Sequence, residues 1–146
     1  MENHHRPINE VILHCTATLA SQIVTMEQIR SWHVAENGWA DVGYHYVIDQ
    51  QGNVMRGRKV SQQGAHCKGH NQTSIGICYI GGLDDDTATP ADTRTPAQKK
   101  AMVELVKSIM WEFGLRPEHI HCHNEFSNRA CPCFSISSFR RELAQR

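Results

Sequence analysis

The chain has 146 residues, fifteen Lys and Arg against fifteen Asp and Glu, and hydrophobic residues at 40%, the size and apolar content of one compact domain spanning residues 1–146. A net charge of zero excludes the cationic excess that nucleic acid or an acidic membrane surface attracts. The longest apolar runs, such as residues 75–80, fall far short of the ~20 residues a membrane-spanning helix needs, so no membrane insertion is expected. The opening MENHHRPINE has no apolar signal-peptide core, which predicts cytoplasmic synthesis. What stands out is ten His and six Cys, residue types that bind metals or act as nucleophiles better than they fill cores.

Without an export signal, and at a length that buries about two-thirds of the unfolded surface, a disulfide framework is not expected. Cys15 and Cys78 lie in the apolar runs VILHC and IGICYI and read as small buried thiols. Cys122, Cys131 and Cys133 crowd with His119, His121 and His123, a cluster that points to chemistry.

Residues 10–15 read as a buried strand, because Val11, Ile12 and Leu13 run together. Thr25 with Gln28 forms a capping box for a helix to about Glu36, which Asn37 and Gly38 stop. Residues 44–49 and 54–58 flank Gln50-Gln51-Gly52-Asn53 and predict a β-hairpin. Residues 74–80 form another strand, with Gly76 inside it. LDDDTATPADTRTP, residues 83–96, reads as a polar surface loop. Thr95, Pro96 and Gln98 then open the clearest helix, stopped by Gly114, with Ala101, Met102, Leu105, Val106, Ile109, Met110 and Phe113 as its apolar stripe. A short strand at 119–122 and an amphipathic helix from about Ser137 to Ala144 complete the chain. Helices alternating with strands and a hairpin predict an α/β (α+β) fold, a mixed central sheet flanked by helices.

His14 ends the first strand, where a polar side chain can face a cleft; a histidine there is also a common hydrogen-bonded structural residue. In HIHCHNEFSNRACPC, residues 119–133, strand alternation puts His119, His121 and His123 on one face. A catalytic zinc takes three protein ligands and leaves its fourth position to water. Two histidines and a cysteine satisfy that count. The spacing matches no repeated CxxC pattern, so spacing alone leaves both the metal and the ligand choice open.

Five blocks, VILHCTAT, WADVGYHYVIDQQGNV, HCKGHNQTSIGICYIGG, TPAQ and HCHNEFSNRACPCF, follow one another over residues 11–134. In that order they resemble the zinc-dependent N-acetylmuramoyl-L-alanine amidases, in particular the amidase-type lysozymes of coliphages. The fold is shared with the peptidoglycan recognition proteins, some of which bind without cleaving. Carried over residue by residue, the resemblance implies one catalytic zinc held by His14, His123 and Cys131, with Tyr44 and Arg129 as catalytic residues. Arg129 stands where the phage enzymes commonly have lysine. With a pKa above about 12 an arginine keeps its proton near neutrality, so its role there must be electrostatic. Cys133, where relatives often have Gly or Ser, adds a second thiol beside the metal.

The resemblance also places His66, Lys68 and Asn71 in the substrate groove. Glu125 becomes a candidate to orient a ligand histidine. Arg116, Glu118 and His119 fall at the surface or behind the ligands, and His4 and His5 are idle. The implied reaction is hydrolysis of the amide joining N-acetylmuramic acid to L-alanine in bacterial peptidoglycan, by a monomeric phage-type endolysin that reaches the wall after release or export. Two alternatives stand beside it. One is a non-catalytic peptidoglycan-binding module of the same fold; the other is a structural zinc closed by Cys133 or His121 as fourth ligand.

Overall fold

The run EVILHC forms β1 (Glu10–Cys15), five of whose six residues are buried. A computed structural model describes residues 6–38 and 41–145, so His4 and His5 lie outside the described residues. β1 pairs in parallel with β5 (Ser74–Tyr79) on one side and β7 (Ile120–Cys122) on the other. β3 (Tyr46–Ile48) is parallel to β5 and antiparallel to β4 (Val54–Arg56), giving the order β4-β3-β5-β1-β7. Parallel strands covered on both faces bury successive residues, which is why VIL runs without a polar interruption.

α2 (Pro96–Phe113) and α3 (Ile136–Ala144) pack on one face. There Val11, Leu13, Ile75, Ile77 and Tyr79 meet Met102, Val106 and Phe139. The opposite face carries Val47, Cys78 and Ile80 against Ile29 of α1 (Met26–Ser31). The expected capping box of α2 is present, and Gly114 closes the helix at φ 67°. Gln98 does more than cap: its amide donates to the carbonyls of Ile48 and Ile80 at 3.2 and 3.0 Å, tying the helix start to β3 and to the residue that follows β5. α3 starts at Ile136 with Ser135 as cap, slightly earlier than the sequence suggests.

Four local expectations change. The helix expected to run to Glu36 is α1 followed by a π-helical turn, Trp32–Glu36, and the Trp32 N–H is shared between the carbonyls of Gln28 and Ile29 at the changeover. Such widened turns recur at functional sites. The first hairpin strand is shorter than expected, beginning at Tyr46, so Tyr44 precedes the regular pairing. The loop at 83–96 is not wholly superficial. β6 (Gly82–Leu83), at its start, pairs with β2 (Thr18–Leu19) in a small parallel sheet, too short to show an apolar period. Near the loop's end, Arg94 is buried between Asp92 and Glu142, at 3.0 and 2.9 Å, with its guanidinium 3.9 Å from the Phe134 ring centre.

The fourth change concerns the histidines near the C-terminus. β7 holds only His121; His119 ends the 3-10 turn Pro117–His119 and His123 opens the turn His123–Glu125. The three therefore do not share a strand face. His119 Nδ1 accepts the Arg116 N–H at 2.9 Å and the Glu125 carboxylate accepts the Cys122 N–H at 2.6 Å, and these caps end the strand on both sides. Among the described residues, no helix is long and apolar enough to cross a membrane.

Candidate active site

His14 stands near the carboxyl end of β1, the strand flanked by β5 and β7, and it is 1% exposed. Leu13 and Cys15 join the α2/α3 core, so alternation turns His14 to the opposite face. Its Nδ1 lies 3.8 Å from Cys131 Sγ, which also accepts the Cys15 N–H at 3.2 Å. His123, just past the end of β7, brings its ring centre to 4.6 Å from that of His14. Ligand atoms of His14, His123 and Cys131 all lie within 4.8 Å of one another.

The Nδ1 of His123 is buried without a hydrogen-bond partner. An orphaned buried nitrogen costs about 1–3 kcal/mol, and a cation shared with His14 and Cys131 removes that cost. Two imidazoles and one sulfur match the donor set of a catalytic zinc site. Burial, with His66 and His123 adjacent, pushes the His14 pKa well below its ordinary value. Burial and then the charge of Arg129 lower that of His123. Both rings are thus held neutral, the form in which imidazole ligates a metal.

Cys133 does not join this group. Its Sγ faces the Gly82 carbonyl at 3.3 Å and Cys15 Sγ at 3.9 Å. His121 is paired with Glu125 at 3.2 Å. Glu125 therefore orients His121 and the Cys122 N–H, and not a candidate ligand histidine as the sequence suggests: from its 3-10 turn the carboxylate reaches back to β7.

All eight residues assigned from the sequence border one cleft of about 1090 Å³. The Tyr44 ring centre is 5.2 Å from that of His14 and 5.3 Å from that of His33. Burial pushes its hydroxyl pKa well up, so it remains a protonated donor. Arg129 is exposed on the loop before Cys131, and its N–H donates to Ser127 Oγ at 3.2 Å. Lys68 is exposed at the rim. The Asn71 side-chain carbonyl accepts the N–H groups of His66 and Cys67 at 2.9 and 3.0 Å, shaping the loop itself. His66 borders the cleft, but both its ring nitrogens are engaged inside the protein: Nδ1 faces His14 Nε2 at 2.8 Å and Nε2 faces Ser74 Oγ at 3.0 Å.

Sequence reasoning missed His33 and Ser74. His33 also borders the cleft and accepts the Gly43 N–H at 2.8 Å, but it reads as one more residue of an amphipathic helix. Gly76 did carry a signal, since glycine inside a strand marks close approach.

The family model for N-acetylmuramoyl-L-alanine amidase matches residues 4–134. The chain belongs to this amidase family. Among its relatives, the endolysin of Escherichia phage T7 is 39% identical over 126 residues, covering 86% of this chain and 81% of that protein. Peptidoglycan-recognition protein SC2 of Drosophila melanogaster is 36% identical over 134 residues, covering 88% of this chain and 70% of that one. The fold matches that of the N-acetylmuramoyl-L-alanine amidase LysC from Clostridium intestinale with a TM-score of 0.81 at 22% identity, over 99% of this chain and 90% of that one. The family match spans all five sequence blocks, residues 11–134.

Proposed function

We propose that this amidase is zinc-dependent and hydrolyses the amide between N-acetylmuramic acid and L-alanine of bacterial peptidoglycan, as a phage-type endolysin with one catalytic domain. The observation that carries the reading is the convergence of His14, Cys131 and His123, with its unpartnered buried nitrogen, inside the cleft that Tyr44 and Arg129 border. When bound, zinc supplies a Lewis acid and a water acidified toward a pKa of ~7.

The chain's own residues do the rest. His14 and His123, kept neutral by burial, would hold the zinc together with the Cys131 sulfur. As the amide carbonyl is attacked, negative charge grows on its oxygen. Tyr44, kept protonated by burial, donates a hydrogen bond to that oxygen. Arg129 holds a permanent positive charge at the lip and stabilises the same oxyanion without giving up a proton. Lys68 and Asn71 border the stretch of cleft assigned to glycan and stem peptide. A structural zinc is disfavoured, because neither Cys133 nor His121 stands with the three candidate ligands.

The test is incubation of the zinc-loaded protein with purified sacculi. An amidase releases new alanine amino termini and no new reducing sugar ends. Zinc bound and wall retained with no new amino termini is the behaviour of a peptidoglycan-binding module, and contradicts the proposal.

A further inference from the structure

A chain of hydrogen bonds behind the candidate metal centre has a direction that can be read from its far end. The carbonyl of His70 only accepts, and Ser74 Oγ lies 2.7 Å from it, so the single Ser74 proton points there. The Ser74 oxygen then offers lone pairs to His66 Nε2 at 3.0 Å, which must carry the proton. A neutral imidazole protonated at Nε2 has a bare Nδ1. That nitrogen faces His14 Nε2 at 2.8 Å, so His14 is the donor in this pair. Its remaining nitrogen, Nδ1, is left with a lone pair, and it is the one beside Cys131 Sγ. Turning any one ring to its other tautomer sets two lone pairs or two N–H groups against each other.

We infer that His66 is a positioning residue which, oriented by Ser74, holds His14 in the tautomer that presents Nδ1 to a metal. The inference rests on the proposed reading of His14, His123 and Cys131 as a metal centre. His14 is 1% and His66 9% exposed, so water does not replace these partners. The backbone is shaped for the ring. A Cβ at Gly76 would lie 2.7 Å from ring atoms of His66, and one at Gly64 would lie 2.7 Å from its Cδ2. The glycine inside β5 therefore leaves the space that the His66 imidazole fills against the sheet. The Asn71 side chain accepts the His66 backbone N–H at 2.9 Å and fixes the main chain from which the ring projects.

Two measurements test this. In the metal-free protein, long-range ¹H–¹⁵N NMR of the histidine rings should show His14 and His66 both with a pyrrole-type Nε2 and a pyridine-type Nδ1. The opposite assignment at either ring overturns the inference. This readout needs no metal; if the protein takes up no zinc, the metal reading fails while the tautomer assignment is still decided. Chelator competition then measures zinc affinity. His66→Leu should weaken it by about 10- to 100-fold, the usual cost of losing a partner behind a ligand histidine. His66→Asn, whose side-chain oxygen can accept at the Nδ1 position, should recover most of that loss, and Ser74→Ala should fall between wild type and His66→Leu. Equal losses in His66→Asn and His66→Leu, or none in His66→Leu, would show that the ring merely fills space. Should His66→Leu fail to fold, the NMR assignment on the unaltered chain still decides.

Discussion

The two faces of the central sheet are made by the same strands and do different work. Under α2 and α3, β1 and β5 contribute Val11, Leu13, Ile75, Ile77 and Tyr79 to a buried apolar core. On the other face the alternate residues are Ile12, His14, Ser74, Gly76 and Cys78, and the His45 and His66 rings lie against Gly76. One face is filled by side chains that gain from leaving water. The other adds to a smaller apolar cluster a set of buried imidazoles, whose desolvation cost is offset by hydrogen bonds. A strand such as VILHC is thus divided residue by residue between holding the fold and building the site.

The sharpest way to break this division is at the metal centre. Cys131→Ala should lose bound zinc and reduce amine release from sacculi to background, whereas Cys133→Ala, whose sulfur faces Gly82 and Cys15, should keep both. The reverse pair of results would assign the wrong thiol. Next in size come the groups aimed at developing charge. Tyr44→Phe and Arg129→Ala should each lower kcat by about 100- to 1,000-fold with zinc content unchanged. Arg129→Lys should remain close to wild type, because position 129 needs only a cation. Full activity in Arg129→Ala would discard that role.

The apolar face should respond in the opposite sense. Met102→Ala, at a fully buried position of α2, should cost about 2–5 kcal/mol in urea unfolding while kcat per folded molecule stays unchanged. A large loss of kcat would mean the faces are coupled.

The smallest expected effect is the pH dependence set by His45. Burial lowers its pKa from 6.5 to about 4. Unfolded chains therefore bind a proton that the folded one refuses between those values, and stability falls as pH drops through that window. The contribution is about 1.4 kcal/mol per pH unit at most, and it is absent above the unfolded value. His45→Gln should flatten the slope of unfolding free energy against pH by up to that amount between about pH 4 and pH 6.5, whatever its effect on absolute stability.

Much of the apolar face was legible in the sequence. β1, β5 and α2 announce themselves by short apolar runs rich in Ile and Val or by a seven-residue stripe between a capping box and Gly114, signals that depend only on neighbours along the chain. The polar face was not legible in the same way. The triad came from resemblance to a family, since His14 and Cys131 are 117 residues apart. The link from His14 to His66 spans 52 residues and is closed by Ser74, an unremarked residue at the head of a strand. Strand alternation misplaced His119 and His123 because side-chain caps on both sides cut β7 to three residues. The π-helical turn that carries His33 leaves no trace in a pattern of period 3.6.

The proposed mechanism requires that His14, His123 and Cys131 hold one zinc on which peptidoglycan cleavage depends. Its most direct test is to titrate the metal-free protein with zinc while counting alanine amino termini released from sacculi. Release should rise in proportion to added zinc and level off at one equivalent per chain. Release at full rate from the metal-free protein, or one bound equivalent with no release, would contradict it.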